Sequence, residues 1–129
     1  MFTVEQIEHA HSKVQSGADF PNYIKEIKEF GVRSFETWVK DSHTEYFGEN
    51  GYTTTSQPQY DVLAIENKVN KELFINQLKR HQRGETDYMK FCEDCAQTGI
   101  EKWIVDLNKF TCIYYDKAGN TILTEDIPH

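Results

Sequence analysis

Apolar positions along this chain change period several times, and each change marks an element. Val4, Ile7, His11 and Val14 recur at helical spacing. Ahead of them stands Thr3-Val4-Glu5-Gln6, a capping box, with Phe2 and Ile7 placed as a hydrophobic staple. Gly17 offers a left-handed stop, so the first helix is expected over about 4–16. Asp19 and Pro21 open a second helix whose stripe is Tyr23, Ile24, Ile27 and Phe30, closed by Gly31. After Gly31 the period shortens to two. Val32 to Val39 alternates and is rich in β-formers, Asp41-Ser42-His43 reads as a turn, and Thr44 to Phe47 returns. Asn50-Gly51 is a hairpin signal before a third strand, Tyr52 to Thr55.

Ser56-Gln57-Pro58-Gln59 has linker composition, and the apolar run Asp61 to Ile65 behind it is expected to add a strand. A third helix starts after Asn70 and should bury Leu73, Phe74, Gln77 and Leu78. The fourth starts near Thr86, with Asp87 in its first turn and a stripe of Tyr88, Phe91, Cys92 and Cys95 up to Gly99. Lys102 to Leu107, Phe110 to Tyr115 and Thr121 to Thr124 then read as strands.

Both halves therefore spell ααβββ, and sliding the chain along itself by 68 residues superposes them. Asp19 falls on Asp87, Gly31 on Gly99, Tyr46 on Tyr114, Gly51 on Gly119 and Thr53 on Thr121. Apolar positions follow: Ile24 meets Cys92, Ile27 meets Cys95 and Phe35 meets Trp103. The expectation is an α+β fold made by tandem duplication of an ααβββ unit. Its mainly antiparallel sheet packs with helices about a pseudo-twofold axis, in one domain of two repeats, about 1–56 and 57–129. A ligand would sit at the seam between the repeats.

Composition narrows the partners. In 129 residues, 21 Asp and Glu outweigh 14 Lys and Arg, a net charge of −7 that repels nucleic acid and anionic lipid. Neither is expected as a partner. Two Trp, seven Tyr and eight Phe supply enough apolar surface for a folded core. No stretch is long and apolar enough to span a membrane, and Met1 to Glu5 lacks the start of a signal peptide. Three cysteines, an odd number, argue against a disulfide framework, and a cytoplasmic location is expected. Three-stranded units leave edges to be covered, so monomer and homodimer both stay open.

Candidate chemistry is sparse. Cys92 and Cys95 form a CxxC inside a helical stripe, which reads as buried thiols; a metal site recruiting Cys112 and His81, or a redox pair, is the alternative. His9 and His11 lie on different sides of a helix, His11 at the core edge. Asp41, Ser42 and His43 adjoin in a turn, where such side chains cap backbone, although the types are those of a hydrolytic triad. The pairs Glu93-Asp94 and Glu125-Asp126 read as a solvated helix face and a tail.

What the strands do carry is aromatic: Trp38, Tyr46, Trp103 and Tyr114, with His43 beside them, are the candidate contacts for a ligand or partner protein, against packing with the helices. The expected function is a non-enzymatic module binding a protein or a small molecule, with no cofactor. A small metal-dependent or His-based enzyme is the alternative.

Three stretches carry a resemblance: Gly31 to Val39; the hairpin from His43-Thr44 to Asn50-Gly51-Tyr52; and His81-Gln82-Arg83-Gly84-Glu85-Thr86-Asp87-Tyr88 leading to Phe91-Cys92. Gly99 to Trp103 and Tyr114-Tyr115-Asp116 extend it over nearly the whole chain. In these the chain is similar to a bacterial family of unknown function with members in prophage regions, some labelled phage envelope protein. The resemblance implies a compact α+β fold and a bacterial or prophage origin, and it implies no catalytic residues.

Overall fold

The structure, a computed structural model, describes residues 2–14 and 19–128. Helix α1 spans Val4–His11. Its capping box forms as expected: Thr3 Oγ1 accepts from the Gln6 amide at 3.2 Å, and Gln6 Oε1 accepts from the Thr3 amide at 2.9 Å. The helix ends earlier than the sequence pattern predicted. Ser12 Oγ donates to the His9 carbonyl at 2.6 Å, a local bond that competes with the helical ladder, and the expected stop at Gly17 lies outside the described residues. Helix α2, Phe20–Glu29, buries Tyr23, Ile24 and Ile27, and its exit runs through Gly31 at φ 107°.

Strands β1 (Ser34–Trp38), β2 (Thr44–Phe47) and β3 (Thr53–Thr55) follow as a meander. Residues 56–70 then cross to the second half. The strand expected over Asp61 to Ile65 is absent, because the backbone bonds of this segment scatter among other elements. Gln59 and Leu63 amides donate to the carbonyls of Asp41 and Lys40 at 2.7 Å each, and the Glu66 amide to that of Ala96 at 2.9 Å. No single neighbour offers it a ladder, and Val62 stays 74% exposed.

Helix α3, Lys71–Gln82, starts where Asn70 Oδ1 accepts from the Leu73 amide, and it buries Phe74 and Leu78. Leu73, expected in the core, is 43% exposed: with Phe74 and Leu78 fixing the buried face, it falls on the flank of the stripe. Helix α4, Tyr88–Gln97, is capped by Asp87, whose carboxylate accepts from the Lys90 amide at 2.8 Å. Phe91, Cys92 and Cys95 are buried as expected. The second meander is β4 (Lys102–Asp106), β5 (Thr111–Tyr115) and β6 (Thr121–Asp126).

All six strands join one antiparallel sheet in the order β3-β2-β1-β4-β5-β6. The two meanders meet at β1 and β4, where Glu36 stands opposite Ile104. Period-two alternation sends Phe35, Thr37, Val39, Tyr46, Trp103, Val105, Cys112 and Tyr114 to one face, where they are buried. Helices cover that face, α1 packed on α2 and α3 on α4. The opposite face carries the half-buried Glu36, Trp38, Lys102, Ile104, Ile113 and Tyr115. The architecture is thus α+β, with four helices and a six-stranded antiparallel sheet.

Candidate ligand-binding groove

Between the two helix pairs the sheet floor stays open. A chamber of about 800 Å³ is walled by Phe20, Leu78, His81, Phe91, Trp103, Tyr114 and Glu125, among others. A smaller chamber of about 320 Å³ reaches toward β2 and includes Ser42, Thr44, Tyr46 and Tyr60. His11, Phe20, Tyr88 and Trp103 line both, so the two form one groove along the sheet.

The sheet register builds the floor. Trp103 and Tyr114 are direct partners on β4 and β5, their ring centroids 6.2 Å apart. Helix α4 contributes Phe91, tilted over Trp103 at 5.6 Å, and one turn earlier Tyr88, edge-on to Trp103 at 6.4 Å. His81 from α3 stacks on Phe91 at 4.5 Å and an interplanar angle of 14°. His11 bridges the halves, edge-on to Tyr23 at 5.1 Å and to Tyr88 at 6.1 Å. The result is a nearly continuous aromatic wall, suited to a flat apolar body.

Polar groups are few and placed. Tyr88 Oη and Ser42 Oγ share a hydrogen bond of 2.6 Å at the junction of the chambers. Glu125 reaches the groove because β6 pairs it with Cys112, an inward position. Gln82 Nε2 donates to its two oxygens at 3.0 and 3.3 Å. Burial pushes the Glu125 carboxyl above its ordinary range, the Gln82 bond opposing that only in part. Burial also pushes both His81 and His11 below the ordinary histidine value, favouring neutral rings. His81 Nδ1 lies 3.2 Å from both the carbonyl and the hydroxyl of Thr86, which fixes the ring. The Cys112 thiol in the floor is pushed up to about 12 by burial.

The five aromatic and histidine candidates divide between the two faces of the sheet. Tyr46, Trp103 and Tyr114 line the groove. Trp38 lies on the other face with His43 stacked over it at 6.1 Å, and Lys102 Nζ sits 4.7 Å above the Trp38 ring while pairing with Glu36 at 2.7 Å. Asp41 bonds the His43 ring and accepts from the His43 amide at 3.0 Å, the capping arrangement expected of this turn. Burial works to raise the Asp41 carboxyl, but the His43 bonds outweigh it and hold the group below its usual range. Ser42 points to the helix side, so Asp41, Ser42 and His43 do not assemble as a triad.

Cys92, Cys95 and Cys112 are free and buried. Among the described residues no group of three or more His, Cys, Asp or Glu is placed to hold a metal ion.

Several groove residues escaped the sequence reading as ligand contacts: Tyr88, Phe91, His81, Ser42 and Glu125. The signal for Glu125 was there. Leu123 and Glu125 alternate on β6, so the acidic pair read as a tail is the end of a strand with Glu125 turned inward.

Fold and groove together define an α+β protein in which two helix pairs flank an aromatic cleft over one antiparallel sheet. The chain belongs to the DUF1398 family of proteins of unknown function, whose model matches residues 8–126. Among curated proteins it is 24% identical over 105 residues, 81% of the chain, to an uncharacterized protein of Mycobacterium bovis, and equally to one of Mycobacterium tuberculosis. It is 33% identical over 95 residues, 71% of the chain, to part of an isoleucine–tRNA ligase of Haloarcula marismortui. The chain spans 64% of the length of the mycobacterial proteins and 9% of the ligase. No helix among the described residues is long and apolar enough to cross a membrane.

Proposed function

We propose that the protein is a non-enzymatic binding module whose ligand is a small molecule with a flat, largely apolar body, held in the groove between the helix pairs. The aromatic wall from His81 through Phe91 and Trp103 to Tyr114, facing a chamber of about 800 Å³, carries this reading. Cavities of this size with a few convergent polar groups are where small molecules bind.

The groove is, in this reading, the seam of a duplicated ααβββ unit within one domain, about 1–56 and 57–129. Supporting it are backbone bonds that recur at the 68-residue offset. The Val39 amide donates to the Glu101 carbonyl at 2.9 Å, and the Leu107 amide to the Arg33 carbonyl at 2.9 Å, each bond the counterpart of the other. Arg33 to Phe47 at 2.8 Å is matched by Glu101 to Tyr115 at 2.9 Å, and Val32 to Ile27 by Ile100 to Cys95. Tyr46 and Tyr114 then face the groove from equivalent places on either side of the β1–β4 pair.

The neutral fluorophore N-phenyl-1-naphthylamine tests the reading. Its emission should rise saturably with protein, and in amide NMR spectra the Trp103 indole signal should shift while the Trp38 indole, on the other face, stays in place. Emission that never saturates, or shifts gathered around Trp38 and Ile104, would overturn it.

A further inference from the structure

Charge in the groove is one-sided. The described residues lining its two chambers include Glu8, Asp87, Glu125 and Asp126, and no Lys or Arg. Their situations differ. Asp87 is spent on the α4 cap, and Asp126 pairs across the sheet with Thr111, in an outward position. Among the described residues Glu125 alone combines an inward place on the sheet with an aromatic neighbour, Tyr114, and a neutral hydrogen-bond partner, Gln82. A carboxylate part-buried opposite Cys112 and near Tyr114, with no Lys or Arg among the described residues that line the groove, is costly unless something else supplies the positive charge. Resting on the small-molecule reading above, we infer that the groove's ligand is an organic cation: an aromatic or alkyl body against Phe91, Trp103 and Tyr114, with an ammonium group bonded to the Glu125 carboxylate.

Three further observations agree with this chemistry. The ring faces of Trp103 and Tyr114 attract a cation that sits over them, so the wall that holds the body also favours the charge. The two histidines of the groove are pushed toward the neutral form by burial and do not oppose it. A net charge of −7 draws cations toward the protein at long range. Gln82, by donating to Glu125 from α3, fixes the carboxylate at the chamber wall without neutralising it.

The test uses three ligands of one shape and different charge: 1-naphthylmethylamine, protonated at pH 7, the neutral 1-naphthylmethanol and the anionic 1-naphthaleneacetate. Each is titrated as a competitor of bound N-phenyl-1-naphthylamine. The amine should displace the fluorophore at about one tenth the concentration the alcohol needs, with the anion weakest, a preference within the range of a partly desolvated charge pair. In Glu125→Gln, which keeps the shape and the bond to Gln82, the amine-to-alcohol ratio should fall to about one. Because the readout is a ratio within each protein, it does not depend on overall affinity, and the wild-type ratio decides even where the variant folds poorly. Failure of the fluorophore to bind would remove the groove reading and this inference with it. Saturable fluorophore binding with amine and alcohol equal in the wild type, or with the preference intact in Glu125→Gln, would overturn the cation inference and leave the groove standing.

Discussion

Ser42 and Phe110, in the turns after β1 and β4, both hold a left-handed backbone, with φ of 61° and 55°. A side chain at such a φ is strained by about 1 kcal/mol or more. At Ser42 the hydroxyl bonded to Tyr88 at 2.6 Å offsets part of that cost. Ser42→Ala should therefore lose about 1 kcal/mol in urea unfolding, the bond gone and the strain kept. Ser42→Gly should lose less, because glycine relieves the strain; a larger loss for Gly than for Ala would show the strain to be unimportant.

Two glycines at equivalent helix exits differ in their surroundings. Gly31 at φ 107° has only Phe2 Cδ2 near a would-be Cβ, at 3.8 Å, whereas Gly99 at φ 87° would meet the Lys68 carbonyl oxygen and Val69 Cα at 3.0 Å. Gly31→Ala should cost about 1 kcal/mol through its backbone alone. Gly99→Ala should cost at least about 1 kcal/mol beyond that, because the linker backbone has to move. Thermal unfolding of the two variants compares them directly.

Glu125 and His81 give stability opposite slopes with pH. The folded state raises the Glu125 carboxyl, so it favours folding below the ordinary value of 4.5 and loses that contribution as pH rises through the folded value. Glu125→Gln should melt higher than the wild type at pH 7, with the gap closing as pH falls toward 4.5. His81 is lowered instead, so its contribution is present above the ordinary 6.5 and lost as pH falls through the folded value. His81→Gln should lose less melting temperature than the wild type between neutral and mildly acidic pH.

The three thiols should resist a soluble disulfide reagent in the native protein. Cys92, Cys95 and Cys112 are buried, and burial raises each of them, so the reactive thiolate is scarce as well as shielded. Three equivalents should react on addition of denaturant. Rapid native labelling at Cys92 or Cys95 would reopen a redox role for the pair.

Much of the fold was written locally. Helix caps at Thr3, Asn70 and Asp87, the glycine exits at Gly31 and Gly99, and the period-two runs of the strands depend on neighbours within a few residues, so the chain itself specified them. Two expectations failed where the outcome depended on distant partners. Asp61 to Ile65 has a strand's composition but no strand to pair with, and Leu73 sits beside a buried stripe whose axis Phe74 and Leu78 set.

The candidate site was half legible for the same reason. Alternation within each strand set Trp38 opposite Phe35, Tyr46 opposite Phe47 and Tyr114 opposite Tyr115, and aromatic character made Trp38, Tyr46, Trp103 and Tyr114 candidates. The pairing of the strands then put Tyr46, Trp103 and Tyr114 on one face and Trp38 on the other. Only the tertiary structure decided which face the helices cover and that the helix pairs part over Trp103. It also decided that β6 turns Glu125 inward and that His81 stacks on Phe91. Local sequence fixes where a side chain points relative to its own backbone; a cavity exists only where separate elements fail to close on one another, and that depends on how all of them pack.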